Sequence, residues 1–339
     1  MNNCKQDDTL LTVLMAVYNG EQWLGDSIQS IIMQTYKNFE FIIINDGSND
    51  SSLQIINEFA ANDSRIRVYT KHNSGLADSL NHGLAKAKGD WVARIDADDI
   101  CDPQRLEKQL EYSRTDSNLV LIGSGLTLID DNGHKGMTYH YPNNHSRLMR
   151  RLSKGLPFFP HSSAFFKLSA VKKLGGYRTE FNRSQDQDLW LRLGELGKIL
   201  SIREPLVQIR KHSQQISNDS FGQAQVTYSY MAMTSYYLRS ALKTKPLNEN
   251  QRQEWNNFYE FIRKMLKDRN IYDNRNSIDR LKANISKKHS IFAKSIALVR
   301  ETFRKPFFIY QYIKFRIFGS NLPKKFAKEW QKYHIKSNG

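Results

Sequence analysis

The chain has 339 residues, of which 40% are hydrophobic and 12% are aromatic. This composition excludes a disordered chain, and the length can bury the core of one large domain plus a sizeable extension. No apolar run reaches the roughly 18 residues of a transmembrane helix. The two cysteines, Cys4 and Cys101, exclude a disulfide framework and suit a reducing compartment. Residues 1–8 lack the apolar core of a signal peptide, so we expect a cytoplasmic protein.

The net charge of +16 comes from the last third of the chain. Residues 1–220 contain 26 Lys and Arg against 26 Asp and Glu, whereas residues 221–339 contain 24 against 8. This asymmetry predicts a neutral catalytic or binding domain followed by a basic attachment region. Anionic lipid and nucleic acid both carry the charge that such a region would attract.

Short apolar runs alternate with helical patterns in the first hundred residues. The runs predict strands at residues 10–17, 39–44, 66–69 and 91–95. Strands that alternate with helices form right-handed βαβ units and a mostly parallel sheet. In such sheets the ligand binds outside the carboxyl ends of the strands, where this chain has its polar breaks. We therefore expect the polar residues that follow the four strands to converge on one rim.

Three carboxylates follow the fourth predicted strand, at Asp96, Asp98 and Asp99. Such a cluster repels itself unless a cation neutralises it, and Mg²⁺ and Mn²⁺ prefer oxygen ligands. The alternative is a solvated acidic turn that caps the helix starting at Pro103. The chain has no Gly-x-Gly-x-x-Gly motif after its first strand and no Gly-Lys-Ser/Thr loop, which disfavours a dinucleotide or P-loop site. If a nucleotide binds here, a metal on the carboxylates would hold its phosphates.

Residues 10–110 resemble the nucleotide-binding half of glycosyltransferase family 2, which has the GT-A fold. Five fragments in order carry the resemblance: Ala-Val-Tyr-Asn at 16–19, Asn-Asp-Gly-Ser at 45–48, Asn-Ser-Gly-Leu at 73–76 with Asn-His-Gly at 81–83, Gly-Asp at 89–90, and Arg-Ile-Asp-Ala-Asp-Asp at 94–99. The resemblance implies an α/β protein with a Rossmann-like, mostly parallel central sheet and flanking helices. It also implies an inverting, metal-dependent transferase that uses a nucleotide-sugar, most simply a UDP-sugar.

The resemblance assigns roles on the donor side. Asp98 would bind Mn²⁺ or Mg²⁺, and Asp96 would contact the ribose or the metal shell. Asp46 would hydrogen-bond the base, with Tyr18 close to it. The alternative for Asp46 is a turn-forming residue before Gly47. The other donor-side positions that match the motifs are Ala16, Asn19, Asn73, Gly75, Arg94 and Ala97.

The candidate base lies in the segment Ser-Gln-Asp-Gln-Asp-Leu-Trp at 184–190. On a helix Asp186 and Asp188 point in different directions, so only one can face a given substrate atom. The alternative is that both are first-turn acids that interact with the helix dipole. The resemblance gives the base role to Asp186, although Gln185 stands where the family has Glu. Asp188 is assigned to the acceptor side, together with His161 of the Leu-Pro-Phe-Phe-Pro-His loop.

A last constellation is Arg210-Lys211-His212, followed by Gln215 and Ser217. It resembles the Arg-x-His-x-x-Gln-x-Ser segment of the family. By that resemblance Arg210 would contact the diphosphate and His212 would lie at the metal. A purely structural histidine is the alternative.

These assignments divide the chain into a GT-A domain at 1–219 and a basic, aromatic-rich helical extension at 220–339. Within the domain, 10–110 form the donor half and 111–219 the acceptor half. Aromatic and basic residues interleave at 303–318, which suits either an anionic membrane surface or packing on the domain. No nucleic-acid-binding motif accompanies them, so nucleic acid is not an expected partner.

The predicted function is sugar transfer to a glycan or lipid-linked acceptor in cell-surface polysaccharide biosynthesis, on the inner face of the cell membrane. The alternative is a non-catalytic protein on the same fold that binds nucleotide-sugars or polyanions.

Overall fold

The computed structural model describes residues 9–212, 222–244, 252–269, 271–272 and 320–337. The contacts among residues divide the chain into two units. The first unit comprises residues 1–150 and 157–218, and the second comprises residues 151–156 and 219–339.

The first half of the first unit alternates strands with helices. Its strands are β1 (Leu11–Val17), β2 (Phe39–Asn45), β3 (Ile66–Thr70) and β4 (Trp91–Arg94), and its helices are α1 (Glu21–Ile32), α2 (Ser52–Asn62) and α3 (Leu76–Lys86). These strands are parallel and lie in the order β3-β2-β1-β4. This confirms the predicted βαβ units and the parallel sheet.

The second half of the first unit completes the sheet and adds its covering helices. The elements are β5 (Ile100–Cys101), α4 (Arg105–Ser113), β6 (Leu119–Ile129), β7 (Lys135–Tyr139), α5 (His145–Ser153), a 3₁₀ turn (His161–Ser163), β8 (Phe165–Lys167), α6 (Leu168–Lys173), α7 (Gln185–Leu196) and β9 (Lys198–Arg210). The described strands form one sheet in the order β3-β2-β1-β4-β8-β6-β9-β5, with β7 paired to β6. Because β8 is antiparallel to both β4 and β6, the sheet is mixed at its centre.

The sheet buries β1 and β2 on both faces, which explains their continuous apolar sequence. Helix α1 covers one face with Leu24, Ile28 and Ile31. Helix α3 packs closely on β1, where a Cβ on Gly83 would come within 2.2 Å of Leu14 Cδ1. Core packing therefore fixes the strand ends that carry the polar rim.

The second unit contains α8 (Gln223–Leu242), α9 (Arg252–Lys267) and α10 (Leu322–Ser337). Its buried centre is aromatic: the Phe258 ring lies 4.8 Å from the Trp330 ring, and Tyr230 lies 5.9 Å from Phe326. Among the described residues, no helix combines the length and the hydropathy that a membrane crossing requires. The aromatic and basic segment 303–318 lies outside the described residues.

Candidate functional site

The three carboxylates after β4 form a compact cluster. One oxygen from each of Asp96, Asp98 and Asp99 lies within 4.8 Å of the others. Burial, followed by the charges of the neighbouring carboxylates, raises the pKa of Asp98 and raises that of Asp99 further. The cluster thus concentrates negative charge in a poorly solvated place. A hard oxygen-binding cation fits this donor set, because it would relieve the repulsion.

Asp96 is hydrogen-bonded by Arg94 and Ser162, which are both buried. Arg94 forms a two-bond ion pair with it, and the Ser162 hydroxyl donates to Asp96 Oδ2 at 2.8 Å. The same hydroxyl also donates to Asp99. Arg94 is only 1% exposed and neutralises Asp96 from inside the protein, and its contact with the donor stays a prediction. Ser162 did not stand out in the sequence, because a serine in a short loop carries no pattern of its own.

Arg210 also lies behind the cluster rather than on an open surface. Its backbone N–H donates to Asp99 Oδ1 at 3.0 Å, and its Nε donates to the Asp98 carbonyl oxygen at 3.1 Å. One further nitrogen, Nη1, donates to the Asp131 carbonyl oxygen at 3.1 Å. With 2% of the residue exposed, Arg210 connects β9, the cluster and the turn after β6, and its contact with a diphosphate stays a prediction.

His212 lies directly beside the cluster, as the sequence motif predicted. The distance from His212 Nε2 to Asp98 Oδ2 is 2.9 Å. Its ring lies 4.1 Å from that of Trp23, whose indole N–H donates to the Asp131 carbonyl oxygen at 3.3 Å. His212 and Asp98 are therefore adjacent, as two ligands of one ion must be, and metal binding by His212 stays a prediction. Gln215 and Ser217 of the same motif lie outside the described residues.

Asp46 organises the loop between β3 and α3. Its Oδ1 accepts the N–H of Ser74 at 3.1 Å and the Lys71 ammonium at 2.5 Å, and its Oδ2 accepts the N–H of Gly75 at 3.0 Å. With 3% of the residue exposed, both oxygens are occupied by the protein. Asp46 thus shapes the loop that contains the predicted positions Asn73 and Gly75. Lys71, which the motif does not include, completes this arrangement.

The turn-forming role that was the alternative for Asp46 belongs instead to Asn45. The Asn45 side chain accepts the N–H of Ser48 at 3.2 Å. Gly47 has a φ of +74°, and a Cβ there would come within 2.9 Å of the Asn73 nitrogen. The turn and the loop after β3 therefore need glycine at this position.

The remaining donor-side positions lie on the same rim. Tyr18 is 51% exposed, and Asn19 is tied to the turn after β2, since its Oδ1 accepts the Asn49 N–H at 2.9 Å. Ala16 lies in β1 opposite Ile44 of β2. The Ala97 carbonyl oxygen accepts the Ser27 hydroxyl at 2.8 Å. The strand ends thus bring together the donor-side residues that the motifs singled out.

Asp186 lies in the first turn of α7, next to the strained residue Ser184 with its φ of +55°. Burial raises the pKa of the Asp186 carboxyl above its ordinary value. The N–H of Gln187, at 2.8 Å, and the charge of Arg94 lower it, while the charge of Asp96 raises it. The candidate base and the acidic cluster therefore interact electrostatically.

Asp188 has a different environment from Asp186. It is 0% exposed and accepts Arg178 Nη1 at 3.0 Å and Arg192 Nε at 2.8 Å. Arg192 also donates to the carbonyl oxygen of Gly176 at 2.9 Å. Asp188 is therefore enclosed by two arginines, and its place on the acceptor side stays a prediction. Two residues turn a helix by roughly 200°, which directs this carboxylate into the protein.

His161 lies next to the acidic cluster, because Ser162 follows it in the chain. Its Nε2 is 2.8 Å from the hydroxyl oxygen of Tyr177, and its ring packs edge-on against Trp190 at 5.6 Å. His161 thus connects its own 3₁₀ turn to the Gly-Gly-Tyr segment at 175–177 and to helix α7.

Comparison with known proteins places this site in a family. The family described as glycosyl transferase family 2 matches residues 12–175. The putative glycosyltransferase EpsE of Bacillus subtilis is 38% identical over 224 residues, which cover 65% of this chain and 77% of the relative. The O-antigen biosynthesis glycosyltransferase WbnJ of Escherichia coli is 34% identical over 245 residues, 70% of this chain and 91% of the relative.

The chain belongs to glycosyltransferase family 2. This confirms the family and the enzyme class that the motifs predicted.

Two solved structures show the fold of this family 2 glycosyltransferase. S. aureus TarS in complex with UDP-GlcNAc matches with a TM-score of 0.56 at 16% identity, over 72% of this chain and 70% of that one. The mannosyltransferase PcManGT from Pyrobaculum calidifontis, in complex with GDP-Man and Mn²⁺, matches with a TM-score of 0.54 at 16% identity, over 95% and 87%. The predicted GT-A fold is confirmed.

Proposed function

We propose that this glycosyltransferase moves a sugar from a nucleotide-diphosphate donor, a UDP-sugar, to a hydroxyl group of a glycan or lipid-linked acceptor. The observation that carries the proposal is the compact cluster of Asp96, Asp98 and Asp99 after the parallel strand β4, where a metal could hold a diphosphate. Asp186 is electrostatically affected by Asp96 of this cluster, which supports its role as the base. TarS with UDP-GlcNAc and PcManGT with GDP-Man support the class of donor. WbnJ, named for O-antigen biosynthesis, supports a cell-surface polysaccharide as the product.

In this reaction the acceptor oxygen forms a bond to the anomeric carbon, and the bond from that carbon to the diphosphate oxygen breaks. Asp186 receives the proton of the acceptor hydroxyl group. Its raised pKa makes it a stronger base than an exposed aspartate. One direct attack opposite the leaving group inverts the anomeric configuration, and the family resemblance is what favours this course.

Asp98, Asp96 and Asp99, with His212 beside Asp98, are the residues that would hold Mn²⁺ or Mg²⁺. A divalent cation bound there supplies positive charge next to the departing diphosphate. Arg94 and Arg210 balance the cluster from behind and keep its carboxylates in place.

Replacing Asp98 by asparagine is expected to weaken Mn²⁺ binding by at least about tenfold, since it removes a charged oxygen from the donor set. Titration calorimetry of MnCl₂ into the full chain measures this. Asp116→Asn is the matched control, because Asp116 pairs with Lys198 on the surface of the same unit. Equal affinities in the two variants would contradict the assignment of the metal site.

The donor can be tested directly by incubating the protein with UDP- and GDP-sugars and measuring hydrolysis with and without Mn²⁺. We expect Mn²⁺-dependent hydrolysis that is faster with a UDP-sugar. Tight nucleotide-sugar binding without hydrolysis or transfer would instead support the non-catalytic alternative. The raised pKa of Asp186 favours the enzyme, because a binding protein has no use for a base.

We propose further that the protein works at an anionic membrane surface, on the cytoplasmic side. In the second unit, helix α10 exposes four lysines, while Phe326, Ala327 and Trp330 of the same helix are buried. The four exposed lysines are Lys324, Lys325, Lys328 and Lys332. Each lysine near an anionic bilayer is worth about 1 kcal/mol, so together they provide a substantial attraction.

Changing these four lysines to glutamate is expected to reduce binding to vesicles that contain anionic lipid by at least about tenfold, as the summed attraction becomes repulsion. Co-sedimentation with phosphatidylglycerol-containing and purely phosphatidylcholine vesicles measures the effect. The control makes the same charge change at four exposed lysines of the first unit, Lys37, Lys135, Lys172 and Lys173. An equal loss in both variants would show that net charge alone, and not this helix, attracts the membrane.

A further inference from the structure

Tyr177 is fixed rigidly in the protein interior. Its backbone N–H donates to Asn81 Oδ1 at 2.8 Å, and its carbonyl oxygen accepts Asn81 Nδ2 at 2.7 Å. The preceding Gly176 has a φ of +81°, and a Cβ there would come within 2.4 Å of Asn81 Oδ1. Tyr177 as a whole is 1% exposed. The position of the Tyr177 hydroxyl group is thus set by both its backbone and its packing.

The hydroxyl group of Tyr177 determines which nitrogen of His161 carries a proton. Burial raises the pKa of Tyr177, so the phenol keeps its proton. Burial and the charge of Arg94 hold the pKa of His161 well below its ordinary value, so the imidazole is neutral at neutral pH. Among the described residues, the buried Tyr177 hydroxyl group has His161 Nε2, 2.8 Å away, as its hydrogen-bond partner, so the phenol proton is directed to Nε2, which accepts it. The single ring proton of His161 is therefore on Nδ1.

The ring of His161 lies between the two parts of the reaction site. Trp190, which packs edge-on against it, is one helical turn after Asp186. On the other side, Ser162 follows His161 directly and hydrogen-bonds Asp96. His161 is half-buried, and within the part of the chain that the structure describes nothing hydrogen-bonds its Nδ1 atom. His161 thus presents an N–H donor near the base, and no acceptor for it is found among the described residues.

We infer that His161 binds the sugar acceptor by donating its Nδ1–H to an acceptor oxygen, and that Tyr177 is the positioning residue that keeps the proton on Nδ1. The inference rests on the proposed transfer and on the acceptor-side position expected for His161; it adds the ring nitrogen that donates and the residue that keeps the proton there. The acceptor side is favoured over the donor side because His161 packs against the helix that carries the base. The ligand chemistry is a hydroxyl or ring oxygen of a sugar.

The tautomer can be measured without turnover. Two-bond ¹H–¹⁵N correlation spectra of the full chain distinguish imidazoles protonated at Nδ1 from those protonated at Nε2, and loss of one signal set in His161→Asn assigns the residue. We expect the Nδ1–H form in the wild type and a shift toward the Nε2–H form in Tyr177→Phe. An Nε2–H form in the wild type would overturn the inference. This measurement decides the role of Tyr177 even if the proposed transfer fails.

The substrate contact is tested with two replacements at one position. Asparagine keeps an N–H near the place of Nδ1, whereas glutamine keeps one near the place of Nε2. With octyl glycosides of glucose, galactose and N-acetylglucosamine as acceptor probes, we expect His161→Gln and Tyr177→Phe to raise the acceptor KM by about 3- to 10-fold, the range of one neutral hydrogen bond. His161→Asn should stay within about twofold of the wild type, since that bond is kept.

In His161→Gln and Tyr177→Phe the acceptor KM should rise by a larger factor than the donor KM, because the lost hydrogen bond is made to the acceptor. Equal losses in His161→Asn and His161→Gln, or a rise in donor KM in parallel with acceptor KM, would show a structural role for His161 and overturn the inference.

Discussion

Asp186→Asn is expected to lower kcat for sugar transfer by about 10²- to 10⁴-fold, the contribution of a well-placed general base. An amide cannot take the proton of the acceptor hydroxyl group, and asparagine otherwise matches aspartate in shape. The affinity for the nucleotide should stay within about twofold, because the change alters no residue of the acidic cluster. Steady-state kinetics and calorimetry with UDP separate the two effects. Nucleotide binding that falls as far as the activity would contradict the role of base.

The pH dependence of the same reaction follows from the raised pKa of Asp186. The carboxylate must be unprotonated to act, so kcat/KM should fall as the pH decreases through its pKa. Because burial raises that pKa, the fall should begin at a higher pH than for an exposed aspartate. A profile that is flat down to the ordinary aspartate range would contradict the assignment.

The raised pKa also sets the sign of the effect on stability. A carboxyl whose pKa is higher in the folded state favours folding when it is protonated, and this contribution is lost as the pH rises through the folded-state pKa. Whenever Asp186 is charged, its burial therefore makes it less favourable to the folded state than an exposed aspartate would be. The urea midpoint of Asp186→Asn should therefore equal or exceed that of the wild type. Such a result would exclude unfolding as the cause of the lost activity.

Asp188→Asn, unlike Asp186→Asn, is expected to destabilise the protein. It should lower the free energy of unfolding by about 3–5 kcal/mol, the cost of breaking a buried ion pair. The change leaves Arg178 and Arg192 without the carboxylate that both contact. Urea unfolding followed by circular dichroism measures the loss. Glu111→Gln is the control, since Glu111 is exposed on helix α4 and its change should stay within about 0.5 kcal/mol. An Asp188 variant as stable as this control would contradict the structural role.

These two aspartates show what the sequence can and cannot predict. Helical periodicity indicates that Asp186 and Asp188 face different ways, but it does not say which one faces the substrate. That choice depends on Arg178, which comes from a different segment and pairs with Asp188. Contacts between distant segments are not visible in local patterns.

More of the fold than of the site could be predicted from the sequence. Continuous apolar runs predicted β1, β2 and β4 because a central strand must be buried on both faces. The acidic cluster was predicted because three carboxylates at a strand end need an explanation. The contacts of the supporting arginines could not be predicted, since Arg94 and Arg210 look in sequence like any cation that could bind a phosphate. Only their burial shows that they balance the cluster from within.

Helix α3 connects the loop that Asp46 holds to the segment that contains Tyr177. At its first end, Gly75 is held by Asp46. Six residues later, the Asn81 side chain hydrogen-bonds the backbone N–H and the carbonyl oxygen of Tyr177. Six helical residues span roughly 9 Å, so the helix backbone sets the distance between the loop after β3 and the Asn81 side chain that holds Tyr177. A displacement of that loop along the helix axis should therefore also move Tyr177, and we expect binding at the proposed donor and acceptor sides to be coupled.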